Sequence, residues 1–181
     1  MNDKYEKWKM LRQKLIYDNF FRLYEETVKL PDGEITNYVV NRGGSAVAIL
    51  VTLEKEEFLL AYQYRYPIDS WIYDLPGGKV RDGESLEDAV VRECVEETGY
   101  KPRRLYKLVH FHPQPSRSDR LLHIFFSKGA VKISDATSFA TEKVCAKILN
   151  KEELMRLVQE NKIVDPALLI AWHTARLHEL I

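Results

Sequence analysis

Between residues 75 and 100 the chain reads LPGGKVRDGESLEDAVVRECVEETGY, and its carboxylates are spaced as a helix would group them. At about 100° per residue, Leu86, Val90, Glu93 and Glu97 fall almost on one line. A stripe that begins with Leu86, Ala89 and Val90 therefore ends in acids, with Glu96 beside them. Three carboxylates within one turn repel one another, by a few tenths of a kcal/mol per exposed pair and more once water is removed. A hard divalent ion removes that cost. Mg²⁺ takes one or two carboxylates, completes its shell with water and phosphate oxygens, and suits an acidic helix face opposite a glycine loop. Gly77 and Gly78 form such a loop, where a bare backbone can come close. An acid-rich helix taken alone would read as a solvated face paired through Arg92. Val91 and Val95 predict a second apolar line on the opposite side, which would put the acids in a cleft.

The helix itself is well signposted over 85–98. Ser85 can cap it, Glu87 and Asp88 sit at the positive end of the dipole, and Gly99 supplies the left-handed stop. Around it the chain predicts a charged helical start, and then a hairpin of residues 19–30 and 34–42 about Pro31-Asp32-Gly33. A second hairpin pairs Ser45–Leu53 with Glu57–Tyr66, whose apolar residues alternate. Strands are expected at 71–75, 103–112, 120–128 and 143–149, and helices at 151–160 and 165–179, the last opening on Pro166. The sum is an α/β (α+β) protein with a mixed sheet. Aromatics at Phe20, Phe21, Trp71 and Tyr73 could stack on a base, but at alternating positions they read as core. His110 and His112 share a face of the expected strand 103–112. Without a cysteine or carboxylate in register they read as cleft or core residues, not metal ligands.

Composition narrows the class. In 181 residues, 45% hydrophobic and 30% charged, there is enough apolar material for one ordinary globular core and none of the signature of disorder. Twenty-seven basic residues balance 27 acidic ones, so no net field draws the protein to nucleic acid or an anionic membrane. The opening MNDKYEKWKMLRQKLIYDNF has no unbroken apolar core of a signal peptide, and no run approaches the ~18 apolar residues of a membrane span. Cys94 and Cys145 have neither zinc-site spacing nor the density of a disulfide framework, so a reducing cytoplasm is expected. No Gly-x-Ser-x-Gly elbow, P-loop or Cys–His pairing offers a covalent route.

The spacing Gly78-x5-Glu84-x7-Arg92-Glu93-x-x-Glu96-Glu97-x-Gly99 resembles the Nudix box at every invariant position. Seven fixed matches arise by chance in fewer than on the order of one chain per million. The chain departs from the family where Cys94 and Tyr100 replace bulky aliphatics, both at packing positions. The resemblance implies an α/β/α sandwich around a mixed sheet and attack of water on a phosphorus of an X-linked nucleoside diphosphate. It makes Glu93, Glu96 and Glu97 the catalytic acids and Mg²⁺ ligands, with Mn²⁺ able to substitute, and gives Gly77 a carbonyl contact to metal. Glu84 and Arg92 become the pair that fixes the loop on the helix, and Gly78 and Gly99 the structural glycines. In this picture two or more metals can neutralise the diphosphate and acidify the attacking water.

The flanks extend the resemblance. Seventy-seven residues precede the box. Their KLIYDNFFRLYEETVKLPDGE, followed by AYQYRYP, is similar to ADP-ribose and nucleotide-sugar pyrophosphatases, in which an N-terminal hairpin lies across a homodimer. Pro115 stands fifteen residues after Tyr100, where that subgroup commonly has a proline, and KEELMRLVQENKIVDPALLIAWH looks like its C-terminal end. Residues 1–44 are then a dimer-forming helix and hairpin extension, and 45–181 the Nudix domain. Arg65 maps to the arginine that meets phosphate, a role suited to a bidentate guanidinium. The late-loop general base maps to Glu142 in preference to Asp135, the other carboxylate there, although a box glutamate could serve. The implied partner is a small nucleotide. Alternatives are an oxidised nucleotide or other X-linked diphosphate as substrate, or a nucleotide-sensing domain without catalysis.

Overall fold

A computed structural model describes residues 6–19, 21–137 and 143–181. By its contacts the chain forms two compact units, one of Met1–Gly44 with His112–Leu121, the other of Ser45–Phe111 with Leu122–Ile181.

In the first unit, β1 (Lys9–Asp18), β2 (Arg22–Lys29) and β3 (Ile35–Asn41) make a three-stranded antiparallel sheet. The β2–β3 turn is built as expected. Gly33 takes φ of 94°, its N–H donates to the Leu30 carbonyl at 3.0 Å, and Asp32 accepts from the Glu34 N–H at 3.0 Å. The start of the chain is corrected, because the expected charged helix is the strand β1. Its apolar residues, paired at Met10-Leu11 and Leu15-Ile16, match neither period, and the free edge of β2 takes it from Lys9↔Lys29 to Asp18↔Arg22. Two register shifts accommodate the irregular pattern. Beneath this sheet the buried Glu26 accepts from Arg42 at 2.5 and 3.1 Å and from Gln13 at 2.8 Å. Arg42 also reaches Asp119, whose other oxygen takes the Gly43 N–H.

The second unit is built on β4 (Ser45–Thr52), β5 (Glu57–Arg65), β6 (Ser70–Asp74), β7 (Gly77–Lys79), α1 (Leu86–Thr98), β8 (Tyr100–Pro102) and β9 (Leu105–Phe111). It continues with β10 (Leu121–Lys128), β11 (Ala130–Lys132), β12 (Val144–Asn150), α2 (Lys151–Gln159) and α3 (Pro166–Leu177). The central mixed sheet runs β12-β5-β4-β10-β9, with β6 on β5 and β7 on β4, while β8 and β11 form a separate ribbon. Strand β4 is apolar from Ala46 to Val51 because both its faces are covered. Val47, Ile49 and Val51 face α1 through Ala89, Val90 and Cys94, whereas Ala48 and Leu50 share a second core with Leu154, Leu168, Ala171 and Trp172 of α2 and α3. This is the expected α/β/α sandwich.

Helix α1 starts and stops where the sequence says. Ser85 accepts from the Asp88 N–H at 3.0 Å, and Gly99, at φ of 77°, donates to the Val95 carbonyl at 2.8 Å. Its buried line is Ala89, Val90, Cys94 and Thr98, and the expected second line, Val91 and Val95, is only half-buried. One face of the helix on one sheet already buries what is apolar. Cys94 fills its aliphatic position with no exposure at all. No helix among the described residues is long and apolar enough to cross a membrane.

Candidate active site

The turn after β6 brings the glycine pair against both the sheet and the helix. Gly77 pairs with Ala48 and Gly78 with Val47, so the loop is stitched to the central strand. A Cβ on Gly77 would run into the Val47 carbonyl and sit 2.7 Å from the Ala48 Cα. One on Gly78 would lie 2.5 Å from the Glu93 carboxyl carbon and one of its oxygens. Both contacts are far inside van der Waals range, which is the physical reason for glycine here. The Gly77 N–H, in turn, donates to Glu97 Oε2 at 2.9 Å.

Arg92 is the hub that joins α1 to the loops before it. Its Nε and Nη2 fork onto Glu84 at 2.7 and 2.9 Å, Nη1 reaches Glu93 at 2.7 Å and Glu96 at 3.1 Å, and Nη2 also meets the Lys79 carbonyl at 3.2 Å. A planar guanidinium can serve this many acceptors only because its five donors diverge in one plane. Glu84 additionally takes the Arg81 N–H at 3.0 Å, and Arg81 makes a longer contact of 3.4 Å to Glu96.

The carboxylates differ sharply in charge compensation. The Arg92 guanidinium, helped by the Arg81 N–H, pulls Glu84 down to about 2, while its carboxylate partners raise Arg92 above the ordinary guanidinium range. Burial holds Glu93 above the usual carboxylate range despite Arg92. Burial pushes Glu97 up to about 8, with the negative charges of Glu93 and Asp74 adding to the effect and the Gly77 N–H opposing it. Among the described residues no three His, Cys, Asp or Glu side chains form a ready-made metal cage. Mg²⁺ does not require one, since it keeps waters and needs one or two protein carboxylates. The donors are all hard oxygens, and among the described residues Glu97 makes no ion pair, so the set fits such an ion.

The remaining predicted residues fall in separate places. Arg65 is half-exposed and donates through Nη2 to the buried Asp74. Glu142 lies outside the described residues, as does Phe20, while Asp135 is exposed and pairs with Lys132 at 3.3 Å. Gly99 carries its left-handed turn against Ser134, whose carbonyl a Cβ would strike, and its own carbonyl accepts from Ile133 and Ser134. The histidine expectation is corrected: β9 ends at Phe111, so His112 leaves the strand and bonds the Arg120 carbonyl at 2.9 Å. His110 instead faces His123 across β9–β10, ring centroids 5.9 Å apart. Trp71 is also not core, being 44% exposed and stacked on Tyr62, because β6 has the sheet on only one side. Phe21 is exposed as well, whereas Tyr73 is half-buried against the α2–α3 core. Residues the sequence did not single out, Gln63, Asp74 and Asp165, meet Arg65 or its partner. Only Asp165, before Pro166, carried a local signal, as a helix cap.

An acidic helix clamped to a glycine loop on an α/β/α sheet defines the class, and a family comparison agrees with it. The NUDIX domain model matches residues 43–169, and the chain belongs to that family. It is therefore an enzyme of the kind that hydrolyses phosphorus-containing acid anhydrides. The chain is 26% identical over 182 residues to a methanol dehydrogenase activator of Bacillus methanolicus, covering 100% of this chain and 98% of that one. It is 27% identical over 144 residues to an ADP-ribose pyrophosphatase of Bacillus subtilis (strain 168), covering 79% and 78% respectively. A crystal structure of an ADP compounds hydrolase superposes with a TM-score of 0.82 over 97% of this chain and 95% of that one, at 18% identity, which speaks for the fold.

Proposed function

We propose that the protein hydrolyses ADP-ribose or a related nucleoside diphosphate sugar, in a Mg²⁺-dependent reaction that releases a nucleoside monophosphate and a sugar phosphate. The observation that carries this reading is the half-buried Glu97, held by the Gly77 N–H with no ion pair among the described residues, beside a Glu93 that only glycine at position 78 lets so close to the loop. Glu93, Glu96, Glu97 and the Gly77 carbonyl would hold Mg²⁺, or Mn²⁺ in its place. Such an ion supplies charge neutralisation on the diphosphate and a lower pKa for the attacking water. Arg92, fixed on Glu84, orients the acids, Arg65 binds phosphate, and Glu142 takes the proton from water. The ADP-ribose pyrophosphatase relative and the long N-terminal segment favour a sugar beyond the diphosphate.

The same reading makes residues 1–44 a dimer-forming extension on a domain of 45–181, with the protein working as a cytoplasmic homodimer on a small nucleotide, apart from nucleic acid and membranes. Every residue of β1 is exposed in the single chain, and Trp8, Met10, Leu15, Ile16 and Tyr17 are each about half so. A soluble monomer rarely leaves so many large apolar side chains of one strand in water, and the neutral charge balance gives no field toward polyanions.

The deciding experiment incubates the protein with ADP-ribose, ADP-glucose, GDP-mannose and dinucleotides in Mg²⁺ and separates the phosphate products. Nucleoside monophosphate with sugar phosphate is expected, and no turnover of any compound would sink the reading. Sedimentation of the same sample should give twice the chain mass.

A further inference from the structure

Arg65 and Asp74 lie on neighbouring antiparallel strands, with Ala61 opposite Asp74 and Ser70 opposite Arg65. By the period of two, Ala61, Gln63 and Arg65 share one face of β5, the face on which Asp74 projects from β6. Asp74 is almost wholly buried, as is Gln63, yet Arg65 is 47% exposed along its side chain. Both Asp74 oxygens are engaged. Oδ2 takes Gln63 Nε2 at 2.9 Å and Arg65 Nη2, and Oδ1 takes the Leu75 N–H at 2.8 Å. Two residues further on, Gly77 donates to Glu97.

We propose that Asp74 is a positioning residue for substrate, fixing one nitrogen of the Arg65 guanidinium so that its remaining N–H groups stand ready for the diphosphate. The proposal rests on the functional reading above and adds the residue that gives Arg65 its geometry. A guanidinium has five donors in a rigid fork, so spending one on an anchor leaves a preset pair for two phosphate oxygens. Ordering a long side chain before ligand arrives removes an entropic cost from binding. Behind the anchor stands Asp165, whose Oδ1 caps α3 by accepting from Leu168 at 2.7 Å and which lies close enough to feel the Asp74 charge. Burial and the neighbouring Asp74 charge raise the Asp165 carboxyl above its usual range, which favours the protonated form that can donate to Asp74. The Leu75 bond also ties the anchor to the strand that leads into the glycine loop, so phosphate contact and metal-binding loop share one support.

The test is a double-mutant cycle read by calorimetric binding of ADP in Mg²⁺, alongside steady-state kinetics on ADP-ribose. Asp74→Asn and Arg65→Ala should each weaken ADP binding about tenfold, the scale of one charge-assisted hydrogen bond, and the double variant should be no weaker than either. In kinetics, Asp74→Asn should raise KM with kcat little changed. Losses that multiply in the double variant, or an Asp74→Asn protein that melts earlier but binds ADP normally, would overturn the proposal. If Asp74→Asn does not fold, Gln63→Leu loosens the same anchor; it should weaken ADP binding only where Arg65 is present, and unchanged affinity would reject the role. A wild type that binds ADP but cleaves no nucleotide sugar defeats the functional reading, and the binding cycle still decides on Asp74.

Discussion

Two glutamates flank the same helix and live in opposite electrostatic worlds. Glu84 lies in the loop before α1, takes a bidentate fork from Arg92 and a backbone N–H from Arg81, and is pulled down to about 2. Glu97, in the last turn of α1, is half-buried against the glycine loop, accepts the Gly77 N–H and is pushed up to about 8. The first carboxylate is satisfied by the protein and holds structure. The second is held in place but left short of positive charge, the condition of a group arranged for a partner from outside. Glu93 and Glu96 stand between, since both share Arg92, whose cation could be traded for a divalent ion.

That contrast can be broken at several points. Glu97→Gln should cost on the order of a thousandfold or more in kcat while leaving the melting temperature of the metal-free protein equal or higher, measured by product formation and thermal unfolding. Retained activity would show that Glu97 is not among the metal ligands. Gly78→Ala drives a methyl into the Glu93 carboxyl, and an acid displaced by about 1 Å should lower kcat by about a hundredfold with the fold kept. Arg92→Ala strips the cation from three carboxylates at once. It should destabilise the protein by about 3 kcal/mol in urea unfolding, and if stability is unchanged the hub is not structural.

The smallest effect is on the pH dependence of stability without metal. Glu97 has a folded pKa raised from 4.5 to about 8, so the folded state holds the extra proton between those values and stability falls as pH rises through that window. Glu84 has the opposite sign, its contribution being present above 4.5 and lost as pH falls toward 2. Thermal melts in chelator should therefore peak near pH 5 and drop by on the order of 5 °C by pH 8, with Mg²⁺ or Glu97→Gln making the fall shallower and leaving the part that belongs to Asp165, raised from 3.8 to about 7. A flat alkaline limb in chelator would mean that Glu97 is already compensated.

How much of this was legible in the sequence follows the range of the interactions. Helix α1 could be read because Ser85, Asp88 and Gly99 act within a few residues of each other, and the box could be read because its spacing is itself the motif. The glycine pair was expected to approach something; that Gly78 meets Glu93 and Gly77 meets Val47 depends on β7 joining β4, which no local pattern encodes. The strand β1 read as a helix because its pairing energy belongs to β2. Trp71 read as core because strand aromatics usually pack, yet β6 is covered along one edge only. Asp74 read as nothing in particular, since Gln63 and Arg65 come from β5 and Asp165 from the start of α3, far apart in the chain.

The bond from the Gly77 amide to Glu97 also makes a built-in spectroscopic gauge. An amide that donates to a carboxylate has a proton resonance displaced downfield and exchanges slowly with solvent, and both properties change when that carboxylate is protonated or turns toward a cation. Two-dimensional nitrogen–proton spectra would thus let a single glycine peak titrate the centre of this enzyme, following ion arrival in the absence of any turnover.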